Sequence, residues 1–268
     1  MVTLPFTVKR KAPRPSPDNK TLTEHPGELR RRVIICTIAF VIAATIAVFA
    51  YEPILNFLLR PLCTVDAQTA HHTSQGSSFL VTSNGSCNLF VTSPLDGLTL
   101  RVKIALFGGL VLASPVILFQ IWRFVTPGLK ASERRYAIPF VLSSFFLFLL
   151  GAATAYITLP HALGWLKSVG GPNLQAIYDP IPYLGLILLM MTIFGLTFEF
   201  PVVLVSLELA RVVTPARLLK SWRWAVIIIV VVAAVFTPSS DPFSMFALAV
   251  PLVAFYFISI GIGKLLGR

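Results

Sequence analysis

Charge is scarce in this chain of 268 residues: 12% are Asp, Glu, Lys or Arg, with 11 acids against 22 bases. That excludes an ordinary soluble domain. Residues that perform chemistry are scarcer still. The four histidines, His25, His71, His72 and His161, lie outside the apolar runs or at their ends, where a Ser–His intramembrane protease has no use for them. No Asp lies inside an apolar run, which excludes an intramembrane aspartyl pair. A lone carboxylate has no partner for acid–base chemistry. The His71-His72 pair reads as solvated loop rather than a metal site. Internal repeats are also missing, which withdraws support from an inverted-repeat transporter. Together these absences argue against an enzyme.

What is present is apolar length. Hydrophobic residues make up 56% of the chain, which predicts an all-α polytopic membrane protein. Six runs are readable: Val33–Tyr51, Ile104–Trp122, Ala137–Leu159, Tyr183–Leu207, Trp224–Phe236 and Phe243–Ile262. A spanning helix needs about 20 apolar residues. The first four runs meet that length, the fifth is short, and the sixth is marginal and interrupted by Pro251. The last two spans are therefore expected to be short and to thin the bilayer locally.

The formal charge of +11 suggests nucleic acid only in a soluble chain. Here the positive-inside rule accounts for it, and no nucleic-acid partner is expected. With six spans, Lys9, Arg10, Lys11, Arg14, Lys20 and Arg30–Arg32 share a side with Arg123, Lys130, Arg134 and Arg135. Arg211, Arg217, Lys220, Arg223, Lys264 and Arg268 join them. Only Arg60, Arg101, Lys103 and Lys167 fall opposite. Both termini are thus expected in the cytoplasm of a multi-pass protein of the cell membrane. The first span is too long, and its basic lead too extended, for a cleaved signal peptide. Residues 1–20, rich in Pro, Lys and Arg, read as a disordered cytoplasmic tail ahead of a membrane domain over 21–268.

Cys36 lies in the first span and reads as packing. Cys63 and Cys87 share the first outer loop, an oxidising location in most bacteria, and either form a bridge closing about 25 residues or remain thiols. Three carboxylates stand out. Glu199 lies inside the fourth span, where a charge costs about 2.5–3.5 kcal/mol, so it is neutral or faces a wet cavity. Pro201 just beyond it removes a backbone donor and bends the helix. Glu28, in Glu28-Leu29-Arg30-Arg31-Arg32, precedes the first span, with Pro26 suited to opening a helix that runs into it. Glu133 sits among Arg123, Lys130, Arg134 and Arg135, after the Pro127-Gly128 helix stop. Each of the latter two either pairs with a nearby base or binds a cationic ligand in a loop that topology wants basic.

Several strings, in order along six spans, carry a resemblance. They are Leu22–Arg30 (LTEHPGELR), Leu59-Arg60-Pro61-Leu62, Ser93-Pro94 with Lys103, Ser114–Arg135, Phe194–Pro201 (FGLTFEFP) and Thr237–Pro242 (TPSSDP). Together they resemble the TatC family, receptors of the twin-arginine protein translocase. Departures are Pro26 for the usual Leu, Asp96 for Glu, and a longer first outer loop. The resemblance implies a cupped-hand bundle of six helices. It implies recognition of twin-arginine signal peptides on folded cargo, with TatA- and TatB-like single-span partners and self-association in a larger complex. It further implies the proton motive force as the drive and no catalytic cofactor. An arginine pair is best met by carboxylates, which points to Glu28 and Glu133. Arg30, Phe124 and Leu129 are the neighbours at that site. Glu199 is implied as an intramembrane polar anchor, and Asp241 with Pro238 marks the outer turn between the last two spans. Two other function classes fit the residues: a proton-coupled small-molecule transporter using Glu199, and a purely structural membrane scaffold.

Overall fold

The computed structural model describes residues 25–72, 93–125, 137–170, 179–209, 211–238 and 241–265, and these are all helix, turn or short connection. In chain order the helices are α1 (His25–Phe49), α2 (Tyr51–His72), α3 (Asp96–Val125), α4 (Ala137–Gly170), α5 (Pro180–Thr197), α6 (Phe200–Leu209), α7 (Pro215–Lys220), α8 (Trp222–Phe236) and α9 (Pro242–Leu265). Five stretches are long and apolar enough to cross a membrane: Leu29–Phe49, Asp96–Arg123, Ile138–Val169, Pro180–Leu209 and Pro242–Leu265. The sixth apolar helix, α8, has 15 residues, about 22 Å at 1.5 Å per residue. The shortness expected of the last pair therefore belongs to α8. α9 runs 24 residues straight through Pro251.

Prolines set the bends, and side-chain hydroxyls repair them. Pro61 inside α2 has no N–H, so the Phe57 carbonyl loses its helical donor. The Tyr156 hydroxyl on α4 donates to that oxygen at 2.8 Å, and its ring stacks on Phe57 with centroids 4.4 Å apart. The Tyr183 hydroxyl on α5 donates to the next carbonyl, Leu58, at 2.9 Å. Pro115 inside α3 orphans the Val111 carbonyl in the same way, and the Ser114 hydroxyl donates to it at 2.7 Å. In lipid an unmet carbonyl costs several kcal/mol, so these contacts make broken helices tolerable at membrane depth.

The helix α2 was not expected from sequence, which left Glu52–Arg101 as outer loop. Its signal is the stripe Ile54, Leu55, Leu58, Leu59 and Leu62, spaced for one helical face. Leu58, Leu59 and Leu62 are buried in the core with Ile104, Leu159 and Leu184. Pro61 and the neighbouring polar residues masked that stripe.

Small residues let the spans close on one another, as the sequence leads one to expect at Gly108-Gly109 and Gly151. A Cβ on Gly109 would stand 2.8 Å from the Ala44 Cβ, so α1 lies directly against α3. A Cβ on Gly151 would stand 2.5 Å from the Phe194 carbonyl oxygen, which seats α4 on α5.

The described Lys and Arg residues separate to two ends of the bundle. Arg32 of α1 donates to the Gln120 carbonyl near the end of α3. His161, late in α4, stacks on Phe243 at the start of α9, centroids 5.7 Å apart. With Glu208 lying over Gly263 and Trp222 near Phe257, those contacts put Arg30–Arg32, Arg123, Arg211, Arg223 and Lys264 at one end. Lys103 lies at the other, where it donates to the Ile181 carbonyl at 3.2 Å. At that second end, aspartates cap helices. Asp179 accepts from the Ile181 N–H at 2.9 Å with Pro180 opening α5, and Asp241 accepts from the Ser244 N–H at 2.7 Å. Asp241 is buried, and Pro238 is half-buried beside it.

Candidate functional site

The intramembrane carboxylate sits where its sequence requires a break. Pro201 cannot donate to the Thr197 carbonyl, and its ring disfavours helix at that point. The helix accordingly stops at Thr197 and restarts at Phe200. Glu199 lies in the gap, its N–H bonded to the Leu196 carbonyl at 3.2 Å, three residues back rather than four. The break turns Glu199 towards α4 and leaves it half-buried.

Ser144 of α4 is its polar neighbour there. The Glu199 Oε1 is buried with no hydrogen-bond partner among the described residues. Ser144 is fully buried, and its oxygen accepts from the Trp122 indole N–H at 3.4 Å. Trp122, in the last turn of α3, stacks on Phe140, centroids 4.5 Å apart. Trp122 ends the second apolar run, where an indole suits the water–lipid boundary, but the structure buries it, with Phe140 stacked on its ring and Ser144 at its N–H. An apolar groove of about 520 Å³ lies alongside, between α4, α6 and α9, lined by Phe140, Ser143, Pro201, Val205, Ile258 and Ile262 among others.

A second carboxylate escaped the sequence reading. Glu208 was placed just beyond the fourth span, but α6 carries it inside, where it is 1% exposed. Its carboxyl lies directly over Gly263 of α9 and against Pro215 at the start of α7. Neither oxygen has a hydrogen-bond partner among the described residues. Position alone could have flagged it, since Glu208 stands nine residues after Glu199 in a nearly unbroken apolar string.

The frame of the basic end is clear. α1 runs without a break from His25 into the membrane, so Glu28 lies on its first turn and Arg30 is exposed on the next. The contact between Arg32 and the Gln120 carbonyl brings this turn beside the end of α3. The side chains of Glu28 and Phe124 lie outside the described residues, as do Leu129 and Glu133 entirely. So does the expected Cys63–Cys87 pair: Cys63 contributes backbone to α2, and Cys87 lies beyond. Cys36 is a half-buried free thiol. Among the described residues no group of His, Cys, Asp and Glu could hold a metal ion.

A helical bundle with five spans of membrane-crossing length, a basic end and a carboxyl at a proline break is a multi-pass membrane protein. Comparison with known proteins narrows the class. The family model "Sec-independent protein translocase protein (TatC)" matches residues 24–251. Curated TatC proteins of Frankia casuarinae and Aquifex aeolicus are 43% and 37% identical to the chain. Each match covers 92% of the chain, with 66% and 96% of those proteins' own lengths. The chloroplast TATC protein of Arabidopsis thaliana is 34% identical over 98% of the chain and 72% of its own length. A crystal structure of the twin-arginine translocase receptor TatC superposes with a TM-score of 0.69 at 35% identity. It covers 89% of this chain and 99% of that one.

The chain belongs to the TatC family. Its role is therefore in Sec-independent protein translocation, as a multi-pass membrane component of a protein complex.

Proposed function

We propose that this chain is the receptor subunit of a twin-arginine translocase. It binds twin-arginine signal peptides of folded cargo at its basic end, which faces the cytoplasm with both termini. TatA- and TatB-like single-span proteins and further copies of the chain complete the assembly. The proton motive force drives passage.

The observation that carries the reading is the seating of α1 against the end of α3. Arg32 is tied to the Gln120 carbonyl, so the first turn of α1, which carries Glu28, stands beside the end of α3, and the sequence reaches Glu133 eight residues after α3 ends. Two carboxylates brought together would suit a pair of guanidinium groups, which are planar, always charged and best met in bidentate geometry. Arg30, Phe124 and Leu129 would flank the peptide. The other bases at this end repel a cationic segment that lacks the matched pair. Glu199 is the anchor for a partner's polar intramembrane group, and Asp241 with Pro238 fixes the outer turn beside the thin stretch at α8. Residues 1–20 form a basic cytoplasmic tail ahead of a single membrane domain. Cys63 of α2 and Cys87 are bridged under oxidising conditions.

The test is site-specific crosslinking from residue 28 or 133 to a twin-arginine signal peptide, alongside export of folded cargo. Glu28→Ala and Glu133→Ala should each weaken both. Intact crosslinking and export in the two variants would sink the assignment.

A further inference from the structure

We propose that the groove between α4, α6 and α9 is a site for an anionic phospholipid. One acyl chain lies in the groove, and the headgroup phosphate meets Arg211 and Lys264 at its mouth on the basic end.

The groove offers its occupant hydrocarbon. Two serines line it, and both hydroxyls are turned onto backbone. Ser143 donates to the Phe140 carbonyl and Ser259 to the Phe255 carbonyl, each at 2.8 Å. A polar occupant would lose its hydrogen bonds there. On α4 the lining runs from Pro139 to Leu150, about 16 Å of helix. That matches the ~15 Å depth of one leaflet, half of the hydrocarbon core. A membrane-spanning helix needs twice that length. Spread over this distance, the volume of about 520 Å³ gives a cross-section of about 30 Å², against ~80 Å² for a helix 10 Å wide. Length and width both suit a single acyl chain, and neither suits a helix.

The mouth supplies the partners for a headgroup. Leu209 and Ile262 line the groove at the ends of α6 and α9. Arg211 and Lys264 each follow two residues later, and both are exposed. Arg211 stands there at a cost to the backbone. The Val212 N–H donates to the Leu207 carbonyl and the Arg211 N–H to the Glu208 carbonyl, each at 3.0 Å. That pair of bonds closes a helix through a residue in the left-handed region, usually glycine. Arg211 is that residue, at φ 60°, where a side chain is strained. An arginine in a glycine's place keeps a guanidinium at the groove mouth. Residues 209–240 contain no acid, against Arg211, Arg217, Lys220 and Arg223. Glu208 is not part of the lining; it lies over Gly263 and against Pro215. The complementary charge is a phosphate, and a bilayer supplies one already joined to a chain of the right length.

The experiment uses the full chain in vesicles with phosphatidylglycerol as the minor lipid and phosphatidylcholine as the major one, acyl chains matched. A photo-crosslinking residue replaces Ile258, a groove residue 53% exposed. The reference position is Ile38 on α1, 54% exposed and six residues from Arg32, as Ile258 is from Lys264. Mass spectrometry reads which lipid is attached. One base near a membrane surface contributes about fivefold, so phosphatidylglycerol should exceed its share of the vesicle by at least about that much at 258 and match its share at 38. Arg211→Gly removes the charge and relieves the backbone. It should cut the enrichment about fivefold while the melting temperature holds or rises, a combination that a merely structural arginine would not give. Arg211→Lys should keep most of the enrichment. Equal lipid ratios at 258 and 38, or enrichment that survives Arg211→Gly combined with Lys264→Gln, overturns the proposal. Adducts at 258 to protein rather than lipid also overturn it and make the groove a helix-docking surface.

Discussion

The two ends of the bundle use carboxylates differently. At the end opposite the basic one, Asp179 and Asp241 each give an oxygen to a backbone N–H in the first turn of a helix. They complete structure that the chain cannot complete otherwise, since the first N–H groups of a helix have no internal partner. At the basic end, among the described residues, Glu199 keeps an oxygen unmet and Glu208 keeps both. Leaving a buried polar group unmet costs about 1–3 kcal/mol. The opposite end is not free of such atoms, since Asp241 Oδ1 and the Ser244 hydroxyl are also buried and unmet by any described residue. The difference is that Asp241 meets a backbone N–H with its second oxygen, whereas Glu208 meets none with either. The two basic-end residues differ as well. Glu199 stands at a break between helices, whereas Glu208 is sealed against Pro215 and Gly263.

Substitutions should separate the two kinds of carboxylate, and the largest effect is expected at the peptide site. Losing one charge-assisted pair at Glu28 or Glu133 should weaken signal-peptide binding by about 1.5–3 kcal/mol, read as crosslink yield against peptide concentration. Thermal unfolding should hardly move. A matching drop in melting temperature would make these residues structural and erase the contrast.

Packing variants should do the reverse. Gly151→Ala pushes a methyl against the Phe194 carbonyl and should cost about 1–3 kcal/mol of stability, measured in detergent. Tyr156→Phe leaves the Phe57 carbonyl without its donor and should cost about 1 kcal/mol or more. Peptide affinity per folded molecule should stay unchanged in both.

At Glu199 the expected difference lies between two replacements. Glu199→Gln should retain most export, and Glu199→Leu should impair assembly with single-span partners by roughly 0.5–1.5 kcal/mol, with the peptide site still usable. Equal loss in both would favour a residue that must titrate and would revive the proton-coupled reading.

Glu208 should show the smallest effect. Glu208→Met replaces an unpaired buried carboxyl by an apolar chain of similar length, so stability should hold or rise. A clear fall in export at unchanged stability would move Glu208 into the class of Glu199.

Composition and apolar length were enough to specify an all-helical membrane protein with six spans, because a bilayer demands about 20 apolar residues and a closed backbone ladder. The positions of Glu199 and Pro201 foretold a carboxyl at a bend, since a missing N–H acts on its own helix whatever packs nearby. The short α8 was visible as a run bounded by Arg223 and Thr237. α2 was less legible, because Pro61 and polar neighbours interrupt a stripe that only Tyr156 and Tyr183, about a hundred residues away, make tolerable. The same holds for Ser144, one of two adjacent serines in the third span, and for Glu208, which looked like the start of a loop. Their roles depend on which helix lies opposite, and no local pattern encodes that. Chain neighbours decide where a helix starts, breaks and stops. Only tertiary packing decides which carboxyl oxygen receives a partner and which is left open.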